Sequence, residues 1–174
     1  AKKILNSSNT YVQGSVYDLR AEKLGQFDIV LYLGVFYHLK HPMAAWNRIR
    51  EVLKPDGTMF YEGAILDWAY KVDKPLEAFK DQIDAVKELP ITYFAVGNYA
   101  TSWSNWYIPT GKCVNDWLLA SGFHEIEMGF IENSSRAYGS AKLDLKADLI
   151  EHGMSNANAK ATGDQDAKYI PEVE

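Results

Sequence analysis

The feature that most constrains the fold is an uninterrupted apolar run at residues 27–36, which read FDIVLYLGVF. Its β-branched, leucine and aromatic content is typical of a strand that is covered on both faces, as the central strands of parallel sheets are. From Pro42 the period of the pattern changes, because Trp46, Ile49 and Leu53 recur at helical spacing. This spacing predicts an amphipathic helix with proline in its first turn.

The helix is predicted to end before residues 54–57, whose sequence Lys-Pro-Asp-Gly is typical of a tight turn. In this turn we expect Gly57 to supply a positive φ angle. The apolar run at residues 58–61 then predicts a second strand. A strand, a helix, a turn and a strand make a βαβ unit, whose right-handed crossover lays the two strands parallel in one sheet. The predicted fold class is therefore α/β.

Further elements follow the same patterns along the chain. Gly122 stands where a helix ends, and the residues after it alternate as those of a strand do. The polar residues 18–26 are expected to form a link. The other predicted elements are a strand at 10–16, helices at 75–89 and 112–121, a strand at 123–131 and an antiparallel strand at 136–143.

Length and composition indicate one domain. The chain has 174 residues, of which 47% are hydrophobic, and this is enough to build one core. Residues 1–152 are predicted to form the domain, and residues 153–174 a C-terminal tail that is poor in large apolar side chains. No apolar run approaches the roughly 18–20 residues of a membrane span, and the chain does not start with the apolar stretch of a secretory signal. We expect a cytoplasmic protein with no membrane partner.

Charge and the spacing of potential metal ligands narrow the class of partner. The formal net charge is −5 and no long basic cluster occurs, which favours a small-molecule partner over nucleic acid and leaves both open. The single cysteine, Cys113, excludes an internal disulfide and leaves open a buried apolar role or a reactive thiol. His41, His124 and His152 have no companions at metal-ligand spacing, so no metal site is expected.

Residues 27–62 carry a resemblance to a known family. They contain Gly-Val-Phe-Tyr-His at 34–38, Lys-Pro-Asp-Gly at 54–57, and Glu62 at the end of the second strand. The segment resembles the fourth strand, following helix and fifth strand of class I S-adenosylmethionine-dependent methyltransferases. Within that family it is most similar to the branch that includes the bacterial tRNA wobble-uridine carboxymethyltransferases. Residues 105–110, Asn-Trp-Tyr-Ile-Pro-Thr, are similar to a second motif of the branch.

The resemblance implies a partial Rossmann-like methyltransferase fold, with a mostly parallel sheet and an antiparallel C-terminal strand. It also implies transfer from S-adenosylmethionine to a small molecule or a nucleic-acid base, with tRNA as one acceptor. Members of the family hold this cofactor through a glycine-rich turn, whereas the twelve glycines of this chain include no Gly-x-Gly. We therefore expect a fragment in which cofactor binding is weakened or lost. A non-catalytic module that keeps the fold for assembly is the alternative.

Six residues match positions at which the family contacts its cofactor. Leu33 and Tyr37 follow the first predicted strand, and ligands of open α/β sheets bind beyond the carboxyl ends of the strands. Leu33 would supply apolar contact, or belong to the core, and Tyr37 would direct its hydroxyl to the carboxyl-bearing end of the cofactor. Arg136 matches an arginine that holds a carboxylated cofactor with its planar fork, or is simply exposed. The positions that match the adenine contacts are Ser15, Val16 and Asp18, of which the last could instead be a surface carboxylate.

Two further residues are candidates for catalysis. His38 could act as a general base, because histidine titrates near neutral pH, or could orient the entry to the helix by hydrogen bonding. Glu62 could bind an acceptor amine or hydroxyl, or cap the rim of the site. Methyl transfer needs little acid–base help, since the sulfonium is already activated and alignment supplies much of the acceleration.

Two surface features complete the expectations. The aromatic residues between 93 and 107 could form the wall of an acceptor pocket, stack on a base, or cover the edge of the sheet as a packed lid. In the family's strand order, 3-2-1-4-5-7-6, loss of the first two strands leaves residues 27–36 at an open edge. We expect either residues 10–16 or a second copy of the chain, in a homodimer, to cover that edge.

Overall fold

The computed structural model describes residues 8–131 and 134–144, which form a four-stranded sheet, a separate two-stranded hairpin and the helices that pack on them. The predicted tail at 153–174 lies outside the described residues. Short 3-10 turns connect several of the regular elements. In chain order these elements are α1 (Ala21–Leu24), β1 (Phe27–Leu33), α2 (Pro42–Val52), β2 (Leu53–Ala64), α3 (Lys80–Val86), β3 (Thr92–Tyr99), β4 (Ser102–Pro109), α4 (Gly111–Ala120), β5 (Phe123–Phe130) and β6 (Arg136–Leu143).

The four-stranded sheet has the order β1-β2-β6-β5. β1 and β2 are parallel, with Leu31 opposite Phe60 and Leu33 opposite Glu62, and β6 is antiparallel to both of its neighbours. The predicted βαβ unit is therefore confirmed, as is the α/β class with an antiparallel C-terminal strand. The order corresponds to strands 4-5-7-6 of the family, so the sheet is the partial Rossmann-like one that the resemblance implies.

The core lies between one face of the sheet and the two longer helices. Trp46 of α2 is fully buried, and its ring lies 4.8 Å from that of Tyr32 on β1 and 6.4 Å from that of Tyr61 on β2. Helix α4 contacts α2 and buries Val114 and Leu118. Both helices thus cover the same face, and the helical spacing read from the sequence identifies the side chains that they bury.

The opposite face of the sheet is open in the described part of the chain. The exposed fractions of Ile29, Leu31 and Leu33 are 58%, 66% and 54%, and that of Phe60 on the neighbouring strand is 42%. The prediction that residues 27–36 are covered on both faces is therefore wrong for the described structure. The reason is that α2 and α4 both pack against the other face, which leaves every second residue of β1 in contact with solvent.

The predicted turn at residues 54–57 is a bulge at the start of β2, where the register with β1 shifts. The positive φ angle of 59° belongs to Asp56, so the role expected of Gly57 is wrong. Gly57 is required by a close approach: a Cβ atom there would lie 2.8 Å from the carbonyl oxygen of Lys54 and 3.2 Å from that of Phe27. The predicted tight turn is therefore wrong, because residues 54–57 belong to β2, and backbone crowding explains the glycine there.

β1 lies at the edge of the sheet. The prediction that residues 10–16 form a strand that docks beside it is wrong, because this segment is irregular and leads into a 3-10 turn at Val16–Asp18. Side chains at both ends of that turn cap its backbone, which favours a turn over an extended strand. A second copy of the chain at the edge stays a prediction.

The remaining elements confirm the sequence analysis in part. Helix α4 and strands β5 and β6 form as predicted, and Gly122, with a φ angle of 78°, ends the helix. The helix predicted at 75–89 is instead a 3-10 segment, Lys74–Phe79, followed by the shorter α3. The hairpin formed by β3 and β4 was not predicted. None of the described helices is long and apolar enough to cross a membrane.

Candidate functional site

Three polar side chains from distant parts of the chain meet at the carboxyl ends of β1 and β2. Arg136 donates from Nε to Oε1 of Glu62 over 2.5 Å and from Nη2 to Oε2 over 2.7 Å. Its Nη1 donates to the hydroxyl oxygen of Tyr37 over 2.9 Å. We call this group the Tyr37–Glu62–Arg136 cluster. It unites three residues that the family resemblance singled out separately.

Local structure fixes each member of the cluster. Tyr37 lies in the 3-10 turn Phe36–His38 that follows β1, Glu62 lies near the end of β2, and Arg136 is the first residue of β6. A Cβ atom on Gly63 would come within 2.4 Å of the buried ring of Phe36, so glycine there lets the turn pack against β2. The close approach brings the ring of Tyr37 beneath the arginine.

The electrostatics of the cluster hold the guanidinium in its charged form. The side chains of Arg136 and Glu62 are 33% and 23% exposed, and their two parallel hydrogen bonds match the fork of an arginine to a carboxylate. The hydrogen bond to Glu62 is the main cause that raises the pKa of Arg136 above its usual value. The Cζ atom of Arg136 also lies 5.1 Å from the centre of the Tyr37 ring, a cation–π distance.

The backbone beside the cluster leaves a space. Gly34 has a φ angle of 72°, and its N–H donates to the carbonyl oxygen of Glu62 over 2.8 Å. A Cβ atom on Gly34 would lie 4.0 Å from Oε2 of Glu62 and 4.0 Å from the hydroxyl oxygen of Tyr37. A larger side chain would point at the polar atoms of the cluster. Leu33, which precedes this glycine, is exposed and lies opposite Glu62 in the sheet, and its apolar contact with a cofactor stays a prediction.

His38 lies next to the cluster and contacts the hairpin. Its Nδ1 is 2.9 Å from the carbonyl oxygen of Ser104 and 3.0 Å from the hydroxyl oxygen of the same residue. A carbonyl oxygen can only accept, so Nδ1 carries the hydrogen in this contact and Nε2 of the neutral ring is the nitrogen that can accept a proton. The contact orients the ring against β4 and leaves Nε2 as the basic atom, and both sequence interpretations of His38 stay predictions.

The three predicted adenine contacts lie on a different element. Ser15 and Asp18 cap the 3-10 turn from both ends: the N–H of Tyr17 donates to Oγ of Ser15 over 3.3 Å, and the N–H of Ser15 donates to Oδ2 of Asp18 over 3.1 Å. The turn packs against α2, and the hydroxyl of Tyr17 accepts from the N–H of His41 over 3.1 Å. Val16 is half-buried against the core. The Asp18 carboxylate therefore has a structural task, and its contact with adenine stays a prediction.

A buried hydrogen bond that the sequence analysis did not predict connects the hairpin to the cluster. The hydroxyl of Tyr99 lies 2.5 Å from Oγ of Ser135, the residue before Arg136. Burial raises the pKa of Tyr99 to about 12. The side chain of Asn105 donates over 3.1 Å to each of the carbonyl oxygens of Tyr99 and Ser102, which fixes the end of the hairpin. Because neither hydroxyl belongs to a motif, only their meeting in the fold reveals this link.

The described residues contain no group of three or more His, Cys, Asp or Glu side chains that could hold a metal ion. Cys113 lies buried in α4, and burial raises the pKa of its thiol to about 11. A thiol in that state is a small apolar side chain and a poor nucleophile. The first of the two roles left open for Cys113 is thus the one that its surroundings favour.

Known proteins match both the sequence and the fold. A family model described as a methyltransferase domain matches residues 1–61. The tRNA U34 carboxymethyltransferases of Desulfotalea psychrophila and Cellvibrio japonicus are 26% and 28% identical over 102 residues, which are 59% of this chain and 26% of each relative. The chain thus spans about a quarter of the length of the curated relatives that it matches.

A solved structure supports the fold independently of sequence. The structure of an O-methyltransferase family protein from Burkholderia thailandensis superposes with a TM-score of 0.51 at 9% identity, covering 78% of this chain and 36% of that one. At this identity the similarity concerns the fold alone. The strand order and the sequence matches agree with it, and together they support the resemblance of this chain to the class I S-adenosylmethionine-dependent methyltransferases, near the branch of the tRNA U34 carboxymethyltransferases.

Proposed function

We propose that this chain binds S-adenosylmethionine beside the Tyr37–Glu62–Arg136 cluster and transfers its activated group to a small molecule or a nucleic-acid base. The observation that carries the proposal is the convergence of Gly34 with the three polar side chains at the carboxyl ends of two parallel strands. Open α/β sheets bind their ligands at such ends. The cytoplasm is the compartment that we propose, because the curated relatives carry the name of tRNA enzymes.

The donor set of the cluster suits the amino-acid end of the cofactor. That end carries one ammonium and one carboxylate, and the cluster presents one carboxylate, one guanidinium and one phenol. A Cβ atom at Gly34 would fill the space next to these atoms. The residues present therefore fit this part of the cofactor, and a side chain larger than glycine would block it.

Each remaining candidate has a role in the proposal. The cofactor supplies a sulfonium-activated group, so the chain has to align the reactants rather than activate the leaving group. Leu33 excludes water from the apolar side of the site, and Nε2 of His38 takes up a proton from the acceptor. Glu62 holds Arg136 in position, and Ser15, Val16 and Oδ1 of Asp18 contact the adenine from the neighbouring turn.

Titration calorimetry with S-adenosylhomocysteine tests the proposal. We expect micromolar binding that Gly34→Val abolishes and that Tyr37→Phe weakens several-fold. The matched control is Tyr70→Phe, which removes another hydroxyl hydrogen bond, that to Asp84, outside the cluster. Binding that is absent, or that Gly34→Val leaves unchanged, contradicts the proposal and favours the non-catalytic assembly module.

We also propose that the chain forms a homodimer through the edge strand β1. Ile29, Leu31 and Leu33 form a row of exposed apolar side chains on β1, whose outer edge has no partner strand among the described residues, and such edges associate with other strands unless they are blocked. Sedimentation velocity tests this proposal. We expect a dimer that Leu31→Lys converts to a monomer, and a monomeric parent protein at tens of micromolar contradicts it.

A further inference from the structure

Ser104 on β4 contacts His38 through two different oxygen atoms. The Nδ1 atom of His38 lies 2.9 Å from the carbonyl oxygen of Ser104 and 3.0 Å from its Oγ atom. The two residues are 66 positions apart in the chain, so the contact exists only because the hairpin of β3 and β4 packs against the 3-10 turn Phe36–His38. One ring nitrogen thus faces two oxygens of a single residue.

The hydrogen positions follow from the chemistry of these three atoms. A carbonyl oxygen can only accept, so Nδ1 of His38 is the donor in the 2.9 Å contact. The hydroxyl of Ser104 then has to present a lone pair to Nδ1 and direct its own hydrogen elsewhere. Oγ of Ser102 lies 3.4 Å from Oγ of Ser104 and can accept that hydrogen. The hydrogen bonds therefore run in one direction, from His38 through Ser104 to Ser102.

The fold fixes the position of Ser104 independently of His38. The next residue, Asn105, is 1% exposed, and its side chain donates over 3.1 Å to each of the carbonyl oxygens of Tyr99 and Ser102. These bonds tie the two strands of the hairpin together next to Ser104. The two oxygens of Ser104 thus have a fixed place from which they orient the ring of His38.

This direction bears on the proposed function, on which the inference rests. In a neutral ring, Nε2 of His38 is a bare nitrogen only while Nδ1 keeps its hydrogen. We propose that Ser104 is a positioning residue, whose hydroxyl oxygen, together with its carbonyl oxygen, holds the hydrogen of His38 on Nδ1 and so keeps Nε2 available as the base. Ser104 acts through His38 and requires no contact of its own with the cofactor or the acceptor.

The same contact suits His38 after it has taken up a proton. An N–H or O–H bond of the acceptor breaks, the proton forms a bond to Nε2, and the electron pair stays on the acceptor for its attack on the transferred carbon. The ring is then an imidazolium with a hydrogen on each nitrogen. Its Nδ1–H still donates to Ser104, and this hydrogen bond becomes stronger because the donor is charged.

Nitrogen-15 NMR of the ring nitrogens of His38 tests the inference, because a nitrogen that carries a hydrogen and a bare nitrogen resonate at different shifts. At a pH at which the ring is neutral, we expect the hydrogen on Nδ1 in the parent protein. One neutral hydrogen bond favours a tautomer by a factor of about two to ten, so Ser104→Ala should lower the ratio of the Nδ1–H to the Nε2–H form by that factor. Ser104→Thr keeps the hydroxyl and should retain the parent ratio. Ser104 is exposed, so both replacements leave the fold intact.

Thr101→Ala is the matched control. It removes another hydroxyl of the hairpin, one that donates to the carbonyl oxygen of Ala100 over 2.6 Å, and should leave the tautomer ratio unchanged. A parent ring with its hydrogen on Nε2 overturns the inference, as does an equal tautomer ratio in Ser104→Ala and the parent protein. Binding of S-adenosylhomocysteine should be the same in Ser104→Ala and the parent. Absence of that binding contradicts the proposed function, whereas the tautomer ratio decides the role of Ser104, so the two failures give different results.

Discussion

Arg136 and Glu62, which are 74 positions apart in the chain, join β6 to β2 through two parallel hydrogen bonds of 2.5 and 2.7 Å. The pair lies where β2 ends and β6 begins, and the hydroxyl of Tyr37 contacts Arg136 from the side of β1. The ion pair and the hydroxyl of Tyr37 thus connect the ends of β1 and β2 to the start of β6 beside the candidate site. Its partial burial makes it stronger than an exposed pair and weaker than one in a dry core.

A double-mutant cycle measures this coupling. Glu62→Gln and Arg136→Met should each lower the free energy of unfolding, and the double variant should lose less than the sum of the two, with a coupling of about 1 kcal/mol in urea titrations. The exposed pair of Lys54 and Asp28, 2.8 Å apart, is the control and should show little coupling. Full additivity at the first pair would mean that its hydrogen bonds do not contribute to stability.

Asp67 predicts a pH dependence of stability. It is 6% exposed, and burial is the main cause that raises its pKa, although its Oδ2 accepts from the N–H of Gly111 over 2.8 Å. The contribution of protonated Asp67 to the free energy of unfolding is fully present below the unfolded pKa of 3.8. It is lost as the pH rises through the folded pKa, because the folded state must then hold a buried charge.

The Asp67→Asn variant removes that charge while its amide oxygen can still accept from Gly111. Urea unfolding should therefore show a stability advantage of the variant that is small near the unfolded pKa and larger at neutral pH. Asp81→Asn, at a side chain that is 95% exposed, is the control. An advantage of Asp67→Asn that is the same at both pH values would show that burial of the charge is not its cause.

Gly63→Ala should be strongly destabilising. The added methyl would lie 2.4 Å from the ring of Phe36, which is 1% exposed, and 3.0 Å from Tyr37. The ring has no space to move, so we expect a loss of about 1–3 kcal/mol in thermal or urea unfolding. Gly14→Ala meets nothing within 4 Å and should change stability by less than about 0.5 kcal/mol. Similar results for both variants would contradict the packing at Phe36.

Tyr99→Phe tests the link between the hairpin and the cluster. Loss of the hydrogen bond to Ser135 should cost about 1–2 kcal/mol, because it leaves a buried hydroxyl without its partner. The pKa of Tyr99 is raised to about 12, so the contribution of its protonated hydroxyl to stability is complete below pH 10 and is lost between pH 10 and 12. The stability of the variant should fall less steeply over that range. Urea unfolding curves of the parent protein and the variant are measured at pH 9 and 11.5. An equal loss of stability in both proteins between these pH values would contradict the assignment of the pH dependence to Tyr99.

The sequence predicts the part of the fold in which local pattern and tertiary packing agree. Pro42 and the spacing of Trp46 mark helix α2, and a right-handed crossover lays the strand after it parallel to β1. The meeting of Tyr37 with Arg136 is different, because no pattern within one segment relates residues 99 positions apart. The family resemblance identified both residues, and only the strand order brought them together.

The wrong and missing predictions also have causes in the local sequence. The run at residues 27–36 is apolar throughout, and such a run cannot reveal which face the helices leave uncovered. The hairpin of β3 and β4 was missed because its strands are irregular: Val96, Ala100 and Thr101 adopt positive φ angles, and the register shifts twice. A sequence with several rings and no regular alternation indicates neither a strand nor a helix.

The hydrogen bond between Tyr99 and Ser135 connects the hairpin of β3 and β4 to the candidate site. Lifting the hairpin from the sheet would break this contact, and Arg136, the next residue along the chain, would lose its rigid neighbour. Order at the hairpin and order at the guanidinium are therefore thermodynamically linked, and linkage of this kind is reciprocal. A contact that orders the hairpin therefore also orders the guanidinium of Arg136, and the reverse holds.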